Sequence, residues 1–193
     1  AIAAYYILCP AEVSTNLARL DGIRYGYNAS DARESLEDIY LQNRGQWLGP
    51  EPQRRSILWS YVLSAGFYDS YFKKAAQIRT LIIEDFDKAF SQVDIILSPV
   101  SPSVAWKLGE KSEDPLKMYL ADSYTIPASL AGLPGISLPC GFARSEDSEA
   151  ELLPVGMQLL APRLQEQKLF EVSYVYEQAT QWRAKMIPEK YKV

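Results

Sequence analysis

Histidine does not occur in this 193-residue chain, and cysteine occurs only twice. The absence of imidazole excludes a Ser-His-Asp or Cys-His nucleophile within the chain and every zinc site that relies on histidine. Two thiols, Cys9 and Cys140, cannot form a four-thiolate metal site. Any chemistry must therefore rest on carboxylate, lysine, tyrosine, serine or cysteine side chains, and we expect no metal site.

Strong net charge and long apolar runs are also missing. The chain has 20 Lys and Arg against 24 Asp and Glu, a net charge of −4, so we expect no autonomous nucleic-acid binding, although local basic patches remain open. No apolar run, such as that over 1–9, approaches the roughly 20 residues that a membrane span needs. The two cysteines lie far apart in a composition unlike a disulfide scaffold. We therefore expect a reduced, cytoplasmic protein without a transmembrane helix.

The remaining composition, with 48% hydrophobic and 23% charged residues, is typical of a soluble globular protein. The sequence opens with apolar residues that neither a methionine nor a charged region precedes, which makes a poor signal peptide. We expect the chain to be a piece cut from inside a larger protein.

Alternation of helical and strand patterns predicts an α/β architecture in which helices cover a sheet. Helical spacing is clearest over 69–90, and a continuous apolar run over 94–99 predicts a buried parallel strand. The other predicted elements are a buried segment over 1–9; helices over 11–20, 35–43, 53–65, 114–132 with a break near Pro127, and 166–182; and strands over 135–139 and 155–160, a candidate hairpin across the acidic loop 145–151.

The sequence contains no Gly-rich phosphate loop, no metal-ligand cluster and no Gly-x-Ser-x-Gly motif. The candidates for chemistry are polar residues in apolar surroundings. These are Tyr5, Tyr6, Arg54, Arg55, Asp122 and Ser137. Ser137 is explained most simply as an alternating strand residue.

The other candidates each allow a structural interpretation. Arg55 could be a helix-surface cation paired with a nearby carboxylate, or it could grip a substrate carboxylate bidentately. Asp122 could be a solvated helix position, or it could accept from a substrate ammonium. Tyr5 and Tyr6 are typical of core aromatics whose hydroxyls reach a partner. Arg54 and Arg55 lie in the first turn of their predicted helix, where cations oppose the helix dipole and need a separate reason.

Several long segments occur in the order that one known family shows. They are Tyr5-Tyr6, AEVSTNLARLDGIRYG over 11–26, Arg54-Arg55, LSAGFYD over 63–69, DPLKMY over 114–119, LAGLPGISLPCG over 130–141 and PVGMQL over 154–159. Together they resemble the C-terminal half of the A subunits of aspartyl/glutamyl-tRNA(Asn/Gln) amidotransferases, a family of amidase-signature enzymes.

The resemblance implies an α/β fold with a mixed central sheet flanked by helices. Residues 1–193 would then be the C-terminal portion of a single amidase-signature domain whose N-terminal half is missing. In that family a Ser-Ser-Lys set attacks the glutamine side-chain amide, and the released ammonia travels to the B subunit. Both the Lys and the Gly/Ser-rich stretch belong to the N-terminal half, so we expect no catalytic residue in this chain.

What the resemblance assigns to this chain is a clamp for glutamine. Arg55 matches the arginine that holds the α-carboxylate, and Asp122 matches the aspartate that accepts from the α-ammonium. Tyr5 matches a tyrosine that lines the same pocket, although a slip of one position would put Tyr6 there. A fixed cation and a fixed anion would distinguish an amino acid from a plain amide.

The resemblance also implies partners. We expect glutamine as the ligand, the B and C subunits of the amidotransferase as partners, and charged tRNA reached through the complex. No cofactor is expected on this chain, because ATP and Mg²⁺ are used by the partner subunit. The alternatives are a fragment of another amidase-signature hydrolase and a non-catalytic interaction module. An exposed half-sheet tends to pair with another chain, so we also expect a homo-oligomer.

Overall fold

The structure is a computed structural model that describes residues 1–29, 35–62, 64, 67–109, 115–145 and 148–186. The chain divides into two compact units. The first unit is Ala3–Ile78, and the second unit is Arg79–Val193 with Ala1–Ile2. Within the described residues the first part of the chain holds α1 (Ile2–Leu17), α2 (Leu36–Trp47), α3 (Pro50–Val62), a π-helical turn (Tyr68–Phe72) and the start of α4 (Lys73–Phe90). The second part holds β1 (Ile96–Pro99), α5 (Pro115–Leu120), α6 (Thr125–Ala131), β2 (Gly135–Ser145), β3 (Ser148–Leu160), α7 (Glu166–Thr180) and α8 (Trp182–Met186).

Helix α1 passes straight through Pro10, so the prediction of a buried segment followed by a separate helix over 11–20 is wrong. Proline has a φ that suits a helix and loses one backbone hydrogen bond there, which is tolerated where packing compensates. Pro10 is itself buried, together with Ala4, Leu8 and Ala11. These positions recur at helical spacing. The sequence did not reveal this period, because the apolar run around them is unbroken.

Helices α2 and α3 begin at recognisable start signals. The hydroxyl oxygen of Ser35 accepts from the backbone N–H of Asp38 at 3.2 Å and caps α2, which confirms the helix predicted over 35–43 and extends it to Trp47. Helix α3 was predicted over 53–65 but begins earlier, at Pro50. Pro50 and Pro52 both lie in its first turn, where the backbone N–H groups have no partner within the helix. Residues 63 and 65 of that prediction lie outside the described residues.

The sheet has the order β1-β3-β2, and both pairs of neighbours are antiparallel. The predicted hairpin is confirmed, but the strands run on into the predicted acidic loop until Ser145 pairs with Ser148. The loop over 145–151 is therefore wrong as predicted, and its residues 146 and 147 lie outside the described residues. Strand ladders override the turn signal of a polar sequence when the backbone can keep pairing.

Strand β1 exists close to where it was predicted, but it is neither parallel nor buried on both faces. It pairs with β3 from Ile96 opposite Leu160 to Pro99 opposite Met157. The side chain of Leu97 is 64% exposed, which is the alternation of an antiparallel edge strand. A short apolar run does not reveal whether its strand is parallel or antiparallel to its neighbour. That direction depends on β3, which lies far along the chain.

The helices beside the sheet correct two further boundaries. The helix predicted over 114–132 breaks at residues 121–124, whereas Pro127 lies inside the first turn of α6 and does not interrupt it. Helix α6 ends at Gly132, whose φ of +66° gives the left-handed cap that favours glycine. The helix predicted over 69–90 is confirmed as α4 preceded by the π-helical turn, and that predicted over 166–182 as α7.

The core of the second unit lies between the sheet and α7. Its buried members are Leu138, Met157, Leu159, Ala161 and Leu169. On another side, the Nε atom of Arg79 in α4 donates to the carbonyl oxygen of Leu130 at 2.8 Å and fixes α4 to the end of α6.

Candidate functional site

Arg55 lies on α3 in the first unit and pairs with a carboxylate on its own helix. Its Nε atom donates to Oε1 of Glu51 at 2.8 Å, one helical turn before it. Arg54 forms an ion pair with the other oxygen of the same carboxylate. Glu51 lies in the first turn of α3, where the helix dipole favours a negative charge. Pairing with Glu51 therefore explains why two arginines are tolerated near the start of this helix.

Two tyrosines of α1 meet Arg55. The side chain of Tyr5 interacts with both Cys9 and the Arg55 guanidinium, and the guanidinium carbon lies 5.9 Å from the centre of the Tyr6 ring. The Tyr5 and Tyr6 rings pack edge to face with their centres 5.2 Å apart. Both tyrosines that the sequence singled out therefore interact with the same arginine, Tyr6 through the face of its ring.

The protonation equilibria of this cluster follow from those contacts. Interaction with Cys9 is the main cause of the raised pKa of Tyr5, and partial burial raises it further. Arg55 acts in the opposite direction and lowers the pKa. The hydrogen bond with Glu51 is the main cause that raises the pKa of Arg55, which is cationic at any physiological pH. The cluster thus presents a permanent, half-buried cation with an oriented guanidinium plane.

Asp122 lies in the second unit, in the turn between α5 and α6. Its backbone carbonyl oxygen accepts from the N–H groups of Thr125 at 3.2 Å and Ile126 at 3.0 Å, which starts α6. The side chain is exposed, and its carboxylate makes no hydrogen bond or ion pair with any residue that the structure describes. Asp122 is therefore a turn residue and not the helix residue that the sequence predicted. Tyr5 and Arg55 belong to the other unit, so the structure describes the two parts of the predicted clamp separately.

A cavity of about 290 Å³ adjoins Asp122. Its wall comes from Val100 to Trp106, which follow β1, together with Asp122 and Thr125. The hydroxyl oxygen of Ser101 is buried in this wall and has no hydrogen-bond partner among the described residues. The cavity is near the lower limit of volumes that hold small organic ligands, so its size suits a compact polar molecule.

Gln158 is a residue whose role the sequence interpretation missed. It lies near the C-terminal end of β3, the central strand of the sheet, with only 8% of its surface exposed. Its Nε2 atom donates to Oγ of Ser98 in β1 at 3.2 Å and to the carbonyl oxygen of Tyr124 at 3.1 Å. Gln158 therefore ties the turn that carries Asp122 to two strands of the sheet. A single amide inside an otherwise apolar strand was the signal, because a buried amide requires partners.

Two absences in the described part of the chain concern metal binding and membrane crossing. Among the described residues, no group of three or more Cys, Asp or Glu side chains lies together in a way that could hold a metal ion. The same part of the chain contains no helix with the length and apolar character needed to cross a bilayer.

Known proteins resemble the chain over most of its length. A family model described as Amidase matches residues 1–170. The A subunit of glutamyl-tRNA(Gln) amidotransferase from Azotobacter vinelandii is 51% identical over 191 residues, and the match covers 99% of this chain and 38% of that protein. The protein of the same name from Trichodesmium erythraeum is 53% identical over 178 residues, or 92% of this chain and 35% of the relative.

A solved structure shows the same similarity in three dimensions. The crystal structure of the glutamyl-tRNA(Gln) amidotransferase A subunit from Thermotoga maritima superposes with a TM-score of 0.56 and 37% sequence identity. The superposition covers 88% of this chain and 30% of the Thermotoga chain. The chain thus spans little more than a third of the length of the relatives that it matches.

Proposed function

The chain belongs to the amidase family, and on that premise we propose that it forms part of the glutamine-hydrolysing A subunit of a tRNA-dependent amidotransferase. The observation that carries the proposal is the 51% identity to the Azotobacter vinelandii A subunit over almost the whole chain. The complete protein would hydrolyse glutamine to glutamate and ammonia, and the ammonia would convert Glu-tRNA(Gln) or Asp-tRNA(Asn) to the amide. We propose that this chain contributes the glutamine clamp and that the Ser-Ser-Lys nucleophile lies in the part of the relatives that the chain does not match.

The chemistry of the clamp supports this assignment. Arg55 offers a planar guanidinium that can donate two parallel hydrogen bonds to an α-carboxylate. Asp122 offers a carboxylate that no described residue neutralises, which suits an α-ammonium. Tyr5 would line the carboxylate side, since its side chain interacts with Arg55. A site with both charges would favour an amino acid over a plain amide, because the plain amide offers neither an anion to Arg55 nor a cation to Asp122.

The surroundings of the site follow from the same proposal. The B and C subunits would be the partners, and charged tRNA would be reached through the complex. ATP and Mg²⁺ would be used by the partner subunit, and the complex would work in the cytoplasm. The 193-residue chain alone would hydrolyse no glutamine and would associate with itself.

A hybrid enzyme tests the proposal. In it, residues 1–193 replace the matching segment of the Azotobacter vinelandii A subunit, which is assayed with the other subunits of that amidotransferase. We expect the hybrid to release ammonia from glutamine, and we expect Arg55→Ala to raise the glutamine KM by about 10- to 100-fold, the range for losing a charge-assisted hydrogen bond. Arg54→Ala is the matched control, because Arg54 is more exposed and should leave KM within about twofold.

The outcomes separate the alternatives. A hybrid with no glutaminase activity, or an Arg55→Ala variant with unchanged KM, would overturn the proposal. Hydrolysis of simple amides in preference to glutamine would assign the chain to another kind of amidase-signature hydrolase. Ammonia release by the 193-residue chain alone, lost on mutation within it, would contradict the absence of a nucleophile.

A further inference from the structure

Glu51 shares one carboxylate between two arginines that differ in their surroundings. The side chain of Arg54 is 52% exposed and pairs with Oε2 of the carboxylate. Arg55 is 27% exposed and is also in contact with Tyr5 and Tyr6. The Glu51–Arg55 pair is therefore the inner one, and it belongs to a cluster drawn from two helices.

The bond between Glu51 and Arg55 uses the Nε atom of the guanidinium. A guanidinium carries five N–H groups, and the other four are on its two terminal nitrogens. A carboxylate bound at Nε therefore fixes the plane of the group from its side without using the end that a second carboxylate would approach. Glutamate placed four residues before arginine is also the favourable order for such a pair on a helix.

We propose that Glu51 is a positioning residue that holds Arg55 in the orientation in which it receives the carboxylate of a substrate. This inference rests on the proposed function, because it assumes that Arg55 binds the α-carboxylate of glutamine. An unrestrained arginine has several rotatable bonds, and freezing them on binding lowers the affinity. With Glu51 and the two tyrosines in place, most of that ordering is complete before glutamine arrives.

A competing role for Glu51 makes the opposite prediction. Its carboxylate could occupy Arg55 in the empty site and leave when glutamine enters, in which case removing it would strengthen binding. The Nε attachment disfavours this role, since Glu51 and the substrate would use different N–H groups. The sign of the change in KM therefore distinguishes positioning from competition.

The test uses the hybrid enzyme and four variants. Glu51→Ala removes both the charge and the acceptor, whereas Glu51→Gln retains an amide oxygen that can accept from Nε. Arg55→Ala reports on the clamp itself. Glu12→Gln is the matched control, because Glu12 is an exposed glutamate of the same unit that makes no hydrogen bond or ion pair with the described residues.

We expect Glu51→Ala to raise the glutamine KM about tenfold with kcat changed less than about twofold, and Glu51→Gln to lie between it and the unmodified enzyme. A second substrate, 4-aminobutanamide, has the same amide and amine but no carboxylate. Because positioning acts only through the carboxylate, the KM for this substrate should not change on mutation of Glu51. Loss of helix stability without a positioning role would raise the KM for both substrates alike.

The outcomes keep this inference separate from the proposed function. If Arg55→Ala raises the glutamine KM and neither Glu51 variant does, the positioning role is overturned and the clamp stands. A lower KM in Glu51→Ala would also overturn it, in favour of competition. If Arg55→Ala has no effect, the proposed clamp itself fails. Should Glu51→Ala fail to fold, Glu51→Gln decides with the same two substrates.

Discussion

The side-chain amide of Gln158, near the C-terminal end of β3, donates to the backbone carbonyl oxygen of Tyr124 in the turn before α6 at 3.1 Å. The same amide nitrogen also reaches Oγ of Ser98 in β1. Since Asp122 lies in that turn, one buried amide fixes the backbone beside the carboxylate that we assign to the substrate ammonium. The backbone that carries the exposed carboxylate of Asp122 is therefore held in place by the buried side chain of Gln158.

Replacing Gln158 tests this dependence. Gln158→Leu keeps the approximate size of the side chain but leaves the Tyr124 carbonyl oxygen without its amide donor, so we expect a loss of about 1–3 kcal/mol in the free energy of unfolding. Urea denaturation of the chain measures it. Gln167→Leu on exposed α7 is the control, expected within about 0.5 kcal/mol of the unmodified chain. An equal effect of both substitutions would contradict the bridging role.

The interaction between Cys9 and Tyr5 should be visible in a tyrosine titration. The raised pKa of Tyr5 means that the folded state holds the phenol proton more tightly than the unfolded chain, so this stabilisation is present below pH 10 and is lost as the pH rises further. We expect Cys9→Ala to lower the pKa of Tyr5, because it removes the main cause of the shift. Nuclear magnetic resonance of ¹³Cζ-labelled tyrosine measures it. Cys140→Ala should not alter the Tyr5 titration, and a Tyr5 pKa that does not respond to Cys9 would contradict the assignment.

Acid stability should depend on a pair that joins α7 to the segment before β1. Nζ of Lys168 lies 2.7 Å from Oδ1 of Asp94, and this hydrogen bond holds the pKa of Asp94 below its ordinary value. A depressed carboxyl pKa adds stability above the unfolded pKa of about 4 and loses it as the pH falls through the folded value. Asp94 is fully exposed, so we expect the contribution to be small and sensitive to salt.

Lys168→Met should therefore raise the pKa of Asp94 towards its ordinary value and flatten the loss of stability below pH 4. Carboxyl resonances followed through an acid titration give the pKa directly. Lys88→Met is a suitable control, because Lys88 pairs with Asp85 and not with Asp94. If the Asp94 titration is identical in the two variants, the pair does not persist in solution.

Self-association is expected from the outer surface of the second unit. In the described sheet β2 is an edge strand, and α7 exposes the apolar side chains of Phe170, Tyr174 and Val175. Unpaired strand edges and contiguous apolar faces tend to be covered by other chains. Light scattering should give a mass above the 21.8 kDa of one chain, falling when Val175→Glu places a charge on this face.

A single-chain mass at high concentration would overturn the expectation of a homo-oligomer. Leu36→Glu is the matched control, since Leu36 is an exposed leucine at the start of α2 in the other unit. If it lowers the mass as much as Val175→Glu does, association through α7 is wrong.

The α/β architecture and its family resemblance could be predicted from the sequence, and both are confirmed. The hairpin of β2 and β3 and the helix capped at Ser35 were also predictable, because their signals are local. The direction of β1 was not, since it depends on pairing with β3 far along the chain. Pro10 and Pro127 were misjudged for a related reason: whether a proline breaks a helix depends on its place in the turn and on the packing around it.

The candidate site shows the same division. Sequence patterns identified Tyr5, Tyr6, Arg55 and Asp122, and the structure brings the first three together. Neither of the two interpretations of Arg55 excludes the other, because the pair with Glu51 uses Nε and a guanidinium also carries N–H groups on its two terminal nitrogens. The roles of Arg55, Asp122 and Tyr5 in glutamine binding remain predictions. The role of Gln158 was not recognised, because its hydrogen-bond partners are distant in sequence and become apparent only in the folded chain.

The antiparallel register of β1 also sets an order of events during synthesis. Ile96 is translated well before Leu160, with which it pairs. Strands β2 and β3 are adjacent in sequence and can pair as soon as both are made. Closing the longer loop carries the larger entropic penalty, so β1 should join a preformed hairpin. Pulsed hydrogen exchange during refolding should then protect the amides shared by β2 and β3 before those of β1. Of these three strands, the one translated first is thus expected to be the last to pair.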